Sequence, residues 1–281
     1  MVTGTKRNRP NEDTKITEPF DIFDLAVLGS GPGGYTAAFR AADLGLKVCL
    51  IERYPVLGGV CLNVGCIPSK ALLHAARVIE ETREMRAHGI QFGEPTIDLP
   101  QLGVWKDKVV GQLTGGLSGL AKKRKVTVVH GTGRFASAHE LAVIRPGEDS
   151  EVRVPFRQAV IAAGSQPVTL PDLPDDERIF DSTGALALKN IPPRMLVIGG
   201  GIIGLEMATV YMALGSKVSI VEMSTQLMPG ADPDLVKPLA KRFKKQTAGI
   251  YLNTRVCAVE VDTRELTVKF EGDKVPDSAA Y

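Results

Sequence analysis

The chain has 281 residues, of which 44% are hydrophobic and 23% are charged, and its net charge is +2. This length predicts about two domains, and the small net charge gives no reason to expect a nucleic acid or an anionic membrane as a partner. No apolar run approaches the roughly 20 residues that span a bilayer, and four cysteines are too few for a secreted domain built on disulfides. We therefore expect a cytoplasmic protein.

The N-terminal stretch from Met1 to Pro19 is polar, contains acids and includes no apolar run. This composition is typical of a disordered tail and not of a secretory signal or an acid-poor transit peptide. We expect folded structure from about Phe20 onward.

Two segments of the chain repeat each other at a constant offset. The first, DLAVLGSGPGGYTAAFRAADLGLKVCLIER, begins at Asp24, and the second, RMLVIGGGIIGLEMATVYMALGSKVSIVEM, begins at Arg194. In each segment an apolar run predicts a strand, a glycine-rich turn and a small-residue stretch of helical period follow, and a second apolar run ends in an acid. The predicted strands are Leu25–Leu28, Val48–Ile51, Met195–Ile198 and Val218–Val221.

Each turn carries the dinucleotide-binding fingerprint G-x-G-x-x-G. The first glycine permits the tight turn, the second lets the backbone approach a pyrophosphate, and the third lets the helix pack closely on the strand. The pyrophosphate then lies at the helix N-terminus, where free N–H groups and the helix dipole favour an anion. The candidate glycines are Gly29, Gly31 and Gly34 in the first copy and Gly199, Gly201 and Gly204 in the second.

An acid follows each fingerprint at the end of the second strand. The distance along the chain from Gly34 to Glu52, and from Gly204 to Glu222, is close to the roughly 20 residues expected for the acid that binds a ribose 2′-hydroxyl. A carboxylate at this place repels a 2′-phosphate, so Glu222 argues for NAD over NADP. Two fingerprints, each with its acid, predict that one chain binds two dinucleotides. FAD with NAD(P) is the natural pair, and Glu222 selects NAD.

The stretch GGVCLNVGCIPSK, residues 58–70, contains Cys61 and Cys66. A structural disulfide would be unusual in the cytoplasm and would close only a short loop. Half of a zinc site would need a second pair of ligands, which the other cysteines and the four histidines do not supply at suitable spacing, so we expect no metal. A redox-active dithiol is the favoured interpretation, because Pro68 and the residues after it predict a helix whose N-terminus stabilises a thiolate at Cys66.

The other two cysteines stand in a different context. Cys49 and Cys257 lie in apolar, strand-like runs, so we expect both to be buried and inert thiols.

At these residues the sequence resembles the pyridine nucleotide–disulfide oxidoreductases, and most closely the dihydrolipoyl dehydrogenases. The likeness covers nearly the whole chain from about Phe20 and includes QLTGGLSGLAKKRKVTVVHGTGRF, AVIAAGSQP and VIGGGIIGLEMATVYMALGSKVSIVE. Within the cysteine segment, Val60, Leu62 and Ile67 favour the lipoamide branch over the glutathione and mercuric reductases, as does Glu222, since those relatives use NADPH. The resemblance implies an α/β fold of two Rossmann-like domains that bind FAD and NAD.

The resemblance also implies roles for single residues. Cys66 would face the flavin, and Cys61 would form a mixed disulfide with dihydrolipoamide. Lys70 would lie near the flavin ring and pair with Glu206, which completes the candidate catalytic set. Beyond the fingerprints and their acids, the candidate cofactor-binding residues are Arg53, Gly59, Val60, Cys61, Lys70, Gly133, Gly164, Ile202, Ile203 and Val256.

By this resemblance the chain divides into an FAD-binding domain, residues 20–165, and an incomplete NAD-binding domain, residues 166–281. The implied activity is the oxidation of protein-bound dihydrolipoamide with NAD as acceptor, on the lipoyl domain of a 2-oxo-acid dehydrogenase complex. The family forms homodimers through a C-terminal interface domain that also supplies a His–Glu pair, and we expect that domain to be absent here. Two alternatives follow: a truncated, catalytically inactive FAD- and NAD-binding fragment, and an enzyme with only NADH diaphorase activity.

Overall fold

The computed structural model describes residues 20–168, 170–272 and 278–281. The predicted disordered tail, residues 1–19, lies outside the described residues. Within the described residues, no helix combines the length and the apolarity needed to cross a membrane.

The contacts within the chain divide it into two units. The first unit joins Met1–Pro55 with Ala121–Ala162, and the second joins Val56–Leu120 with Ala163–Tyr281. These two units are defined by contacts between residues, and they do not show which residues bind a cofactor. The division into an FAD-binding and an NAD-binding domain at residue 165 therefore stays a prediction.

In its described part, from Phe20 onward, the first unit contains one helix and six strands: β1 (Phe23–Leu28), α1 (Pro32–Asp43), β2 (Val48–Glu52), β3 (Thr127–His130), β4 (Thr132–Ser137), β5 (Glu140–Ile144) and β6 (Glu151–Ile161). The strands form one sheet in the order β3-β2-β1-β6-β5-β4. Pairing is parallel from β3 to β6 and antiparallel from β6 to β4. The long strand β6 therefore serves both halves, since its N-terminal part pairs with β5 and its C-terminal part with β1.

The core of the first unit follows from its apolar strand sequences. Strands of a parallel sheet that are buried on both faces are continuous apolar runs and do not alternate. Ala26 and Val27 in β1, and Cys49, Leu50 and Ile51 in β2, are accordingly all buried. Burial of this surface, at about 25 cal/mol per Å² of apolar area, is the main force that holds the sheet together.

The second unit begins with helices and ends with strands. Its elements are α2 (Gly59–Val64), α3 (Cys66–Glu84), a 3-10 helix (Met85–His88), α4 (Leu99–Lys123, of which the last three residues fall in the first unit), α5 (Ser182–Ala187), β7 (Arg194–Ile198), α6 (Ile202–Leu214), β8 (Lys217–Val221), α7 (Pro233–Gln246), β9 (Gly249–Tyr251), β10 (Thr254–Val261), β11 (Leu266–Gly272) and β12 (Ser278–Ala280). Strands β7, β8 and β9 form a parallel sheet, and β10, β11 and β12 form an antiparallel one.

Helix α6 is the centre of the second unit. It is apolar around most of its circumference, as expected of a helix that is covered on several sides, and Leu205, Ala208 and Tyr211 on it are buried. Leu72 of α3 joins the same apolar cluster, so the helix that carries the cysteine segment packs against α6.

The two repeated segments fold alike. In the first, Leu25 pairs with Val48, and in the second Met195 pairs with Val218, so the strand register is repeated at the same offset as the sequence. All four strands predicted in the repeats are confirmed, each with at most two further residues. The α/β fold with two βαβ nucleotide-binding folds is confirmed as well.

Candidate active site

The two glycine turns have the same backbone geometry. The first glycine of each turn has a positive φ, +101° at Gly29 and +106° at Gly199, a conformation that side chains with a Cβ disfavour. The third glycine of each turn has no room for a side chain. A Cβ added at Gly34 would lie 1.8 Å from the Gly29 carbonyl oxygen, and one added at Gly204 would lie 2.3 Å from the Gly199 carbonyl oxygen. Each helix can therefore begin close to its strand only because these positions lack a side chain.

In the first turn the buried carboxylate of Glu52 ties the turn to the strand. Its Oε2 accepts hydrogen bonds from the Ser30 backbone N–H at 2.9 Å and from the Ser30 hydroxyl at 2.5 Å. Its Oε1 accepts a third bond from the Tyr54 backbone N–H at 2.9 Å. Hydrogen bonds within the chain thus hold the predicted acid, Glu52, beside the glycine turn.

The second turn repeats this arrangement. Glu222 Oε2 accepts the Gly200 N–H at 2.7 Å, and Oε1 accepts the Ser224 N–H at 2.8 Å. Burial raises the pKa of Glu222, but the hydrogen bonds from Ser224 and Gly200 outweigh it, so the net pKa lies below the ordinary value. The carboxylate is therefore ionised at neutral pH, as a ribose-binding acid requires.

Sequence reasoning missed the donors that hold the two acids. Tyr54 and Ser224 each lie two residues beyond their acid, and the offset between the repeated segments relates them to each other. This equivalent position in the two repeats was the signal that could have identified them. Their side chains differ because the backbone N–H, and not the side chain, donates the hydrogen bond.

The cysteine segment forms a short helix, α2, and the first turn of α3, with only Gly65 between them. Cys61 lies in α2, which was not predicted, and Cys66 is the first residue of α3, as predicted. Both are free thiols, and the Cys61 sulfur forms a hydrogen bond with the Cys66 thiol and accepts one from the Cys66 backbone N–H. Burial and the Cys66 thiol raise the pKa of Cys61, while the hydrogen bond from the Cys66 backbone and, less strongly, the positive charge of Lys70 lower it.

The close contact between α2 and α3 depends on Gly65. This residue separates the two helices, and a Cβ there would lie 2.9 Å from the Val60 carbonyl oxygen and 3.3 Å from Cys61 Cα. A side chain at this position would push the backbone of Cys61 away from the start of α3. The glycine that precedes Cys66 in the sequence is thus what lets the two sulfurs meet.

The predicted pair of Lys70 and Glu206 is present. Lys70 Nζ lies 3.8 Å from Glu206 Oε1, and the side chain of Lys70 is 67% exposed. The other carboxylate oxygen, Oε2, accepts a hydrogen bond from the Ser69 hydroxyl at 2.6 Å. Ser69 was not identified as a candidate from the sequence. Its position, one helical turn after Cys66, was the feature that could have indicated a role.

The remaining candidates of the first unit lie near the ends of its strands. Gly133 is in β4, and a Cβ there would approach Leu28 to 2.8 Å and Ile51 to 3.2 Å. The guanidinium of Arg53 lies over the ring of Tyr54, 4.8 Å from its centroid. Their predicted contacts with FAD stay predictions.

The remaining candidates of the second unit are mostly exposed. Ile202 and Ile203 begin α6 with exposed side chains, and Val60 in α2 is also exposed. Gly59 and Gly164 have positive φ angles, and Val256 in β10 is half-buried. Their predicted cofactor contacts, too, are untested by the geometry.

One of the two cysteines expected to be buried is not. Cys49 is fully buried, and burial raises its pKa to about 12. The prediction was wrong for Cys257, which is exposed, with its sulfur 3.8 Å from Glu271 Oε2. From Thr254 to Ala258, positions in β10 alternate between more buried and exposed, and Cys257 is exposed like Arg255.

The chain matches the family described as pyridine nucleotide-disulphide oxidoreductase over residues 23–279. It is 56% identical over 256 residues to the dihydrolipoyl dehydrogenase of Vibrio parahaemolyticus, a match that covers 91% of this chain and 53% of the relative. It is 53% identical over 258 residues to the dihydrolipoyl dehydrogenase of Haemophilus influenzae, covering 92% of this chain and 54% of the relative. The chain therefore spans about half the length of the curated relatives it matches.

The fold is similar to that of a solved structure, the Cu(II) complex of the HOCl-induced flavoprotein disulfide reductase RclA from Escherichia coli. The TM-score is 0.78 at 28% identity, over 93% of this chain and 55% of that one. The family match runs through both glycine turns and through the cysteine pair between them. The chain thus belongs to the pyridine nucleotide-disulphide oxidoreductase family.

Proposed function

We propose that this chain carries the redox centre of a flavin-dependent dithiol–disulfide oxidoreductase of the dihydrolipoyl dehydrogenase type, which oxidises protein-bound dihydrolipoamide with NAD as acceptor. The observation that carries the proposal is the contact between the Cys61 and Cys66 thiols at the start of α3, with the ammonium group of Lys70 nearby. A pair of thiols that can meet, beside a cation and a helix N-terminus, is suited to dithiol–disulfide exchange.

The two glycine turns support the binding of FAD and NAD, the cofactors used in this family. Gly31 and Gly201 are the N-cap residues of α1 and α6, and no side chain among the described residues caps either helix. The first N–H groups of both helices are therefore available to a pyrophosphate. Glu52 and Glu222 stand beside the turns as acceptors for a ribose hydroxyl.

The two cysteines divide the reaction between them. In the disulfide form, a substrate thiolate attacks Cys61, the Cys61–Cys66 bond breaks, and Cys66 leaves as a thiolate. The second substrate thiol then attacks the mixed disulfide, so that lipoamide forms and Cys61 is released. Two electrons have passed from the substrate to Cys61 and Cys66, and the two protons of the substrate thiols pass to the released thiolates or to solvent. FAD, when bound, would supply the acceptor that reoxidises the dithiol, with NAD as the final electron acceptor.

The proposed physiological substrate is the lipoyl domain of a 2-oxo-acid dehydrogenase complex, with the protein acting in the cytoplasm. The names of the curated relatives support this assignment, and nothing in the geometry of the single chain opposes it.

The test is formation of NADH by the purified 281-residue chain supplied with FAD, NAD and dihydrolipoamide. We expect Cys61→Ser and Cys66→Ser each to abolish NADH formation, while the matched variant Cys257→Ser, at an exposed thiol outside the pair, keeps it. Lipoamide left unchanged, or a preference for NADPH over NADH, would contradict the proposal. Reduction of a dye by NADH without turnover of lipoamide would identify a diaphorase. If the chain catalyses neither reaction, it is a nucleotide-binding fragment.

A further inference from the structure

Ser69 is the residue that joins the cysteine helix to Glu206. It is only 3% exposed on α3, and its hydroxyl donates to Glu206 Oε2 on α6 at 2.6 Å. The hydroxyl of a serine can rotate to suit one acceptor, and burial removes the competition from water. The carboxylate of Glu206 is thereby held at one of its two oxygens.

Lys70 is held far less tightly than Glu206. Its ammonium group lies 3.8 Å from Glu206 Oε1, and its side chain is 67% exposed. Exposed ion pairs at this separation contribute little to stability and do not fix a long side chain by themselves. The hydrogen bond from Ser69 is therefore the contact that fixes the Glu206 carboxylate. Because this bond holds the carboxylate, it does not move closer to the Lys70 ammonium group.

The position of Lys70 matters for the thiols. Lys70 follows Cys66 by four residues in α3, so both lie on the same face of the helix, and its charge also acts on Cys61 in α2. Glu206 on α6 is the carboxylate that faces Lys70, and His74 follows Lys70 by one turn on α3 and is solvent-exposed. Lys70 is thus the cation whose charge acts on the Cys61 thiol.

We propose that Ser69 is a positioning residue for the cysteine pair: it holds the Glu206 carboxylate in place, so that the Lys70 ammonium group stays available to a thiolate at Cys61 and Cys66. Without the hydroxyl, the carboxylate is free to close on Lys70, neutralise it and draw it from the thiols. This inference rests on the proposed function, since it serves a pair that works through its thiolates.

The test measures thiolate character directly and needs neither cofactor nor lipoamide. The 281-residue chain is reduced, freed of reductant and alkylated with iodoacetamide over a range of pH, and the extent at each cysteine is read by peptide mass spectrometry. Cys257, exposed and outside the pair, serves as the internal reference. The variants are Ser69→Ala and the matched control Ser216→Ala, because Ser216 is also buried and also donates one bond at 2.6 Å, to the Pro192 carbonyl oxygen.

We expect Ser69→Ala to slow alkylation of the pair at neutral pH about threefold relative to Cys257, because the thiolate is the reactive form, while Ser216→Ala leaves the ratio unchanged. In a Glu206→Ala background, Ser69→Ala should have no further effect, because Ser69 acts through that carboxylate. The inference is overturned if the two serine variants behave alike, or if the effect of Ser69→Ala persists without Glu206. A chain that fails to form NADH but shows this dependence would refute the proposed function and leave the positioning role standing.

Discussion

The carboxylate of Glu222 accepts the backbone N–H of Gly200 at 2.7 Å, which fixes it beside the second glycine turn. We expect Glu222→Gln to weaken NADH binding about tenfold, because a charge-assisted hydrogen bond to the ribose becomes a neutral one. NADPH should lose less, since the charge that repels its 2′-phosphate is gone. Fluorescence titration of both nucleotides gives the ratio of the two Kd values. Glu52→Gln, in the other turn, is the control, and an unchanged ratio in Glu222→Gln would contradict the assignment.

The same carboxylate should make the protein sensitive to acid. The pKa of Glu222 is lowered in the folded chain, where hydrogen bonds outweigh burial. Its stabilising contribution is therefore present above the unfolded pKa, about 4.3, and is lost as the pH falls through the lowered value. We expect the Tm of the wild type to fall more than that of Glu222→Gln between about pH 5 and pH 3. Parallel Tm curves for the two proteins would contradict this.

Two neighbouring glycines in α1 should respond oppositely to alanine. A Cβ at Gly34 meets the Gly29 carbonyl oxygen at 1.8 Å, and neither atom belongs to a flexible side chain. We expect Gly34→Ala to destabilise the chain by about 2 kcal/mol or more. At Gly33 nothing lies within 4 Å, so Gly33→Ala should stabilise the helix by about 0.5–1 kcal/mol. Urea denaturation measures both, and equal effects would show that the turn relaxes.

Gly65→Ala should impair formation of the Cys61–Cys66 disulfide. The added methyl group would crowd the Val60 carbonyl and the Cys61 backbone, which separates the sulfurs beyond the narrow range that a disulfide tolerates. Equilibration in glutathione buffers, followed by mass spectrometry, gives the oxidised fraction, and we expect it to fall at a fixed redox potential. Gly111→Ala, in α4 where no atom lies within 4 Å, is the control. The same oxidised fraction in both variants would mean that α2 can shift without cost.

The two remaining cysteines should differ sharply in native labelling. Cys257 is exposed, whereas Cys49 is fully buried with its pKa raised to about 12. We expect iodoacetamide to modify Cys257 in the folded protein and Cys49 only after denaturation, because the thiolate is the reactive form. Modification of Cys49 at the same rate as Cys257 under native conditions would indicate that β2 opens locally.

The repeat explains why so much of the fold was predictable. Strand, turn, helix and acid recur at one offset, so each copy supported the interpretation of the other, and Glu52 and Glu222 came out in equivalent bonds. Local sequence also placed the start of α3 at Cys66, because Pro68 and the helix formers after it act within one turn.

The features that escaped prediction leave little signal in the local sequence. Helix α2 has six residues, too few for a periodic pattern to show. The bond between Ser69 and Glu206 joins residues 137 apart, and no local rule pairs them. Cys257 lies in a strand whose alternation is disturbed by a bulge between Val256 and Ala258, and the apolar residues around it concealed which face it occupies.

The insertion of residues 56–120 into the first unit has a consequence for synthesis on the ribosome. Strand β1 finds its neighbour β2 at once, but its other neighbour, β6, begins at Glu151. At about 5–20 residues per second, the roughly 120 intervening residues leave one edge of β1 unpaired for roughly 6–25 seconds. That edge is apolar and able to pair with a foreign strand. The nascent chain is therefore most exposed to misassembly in this interval, and we expect chaperones to associate with it there.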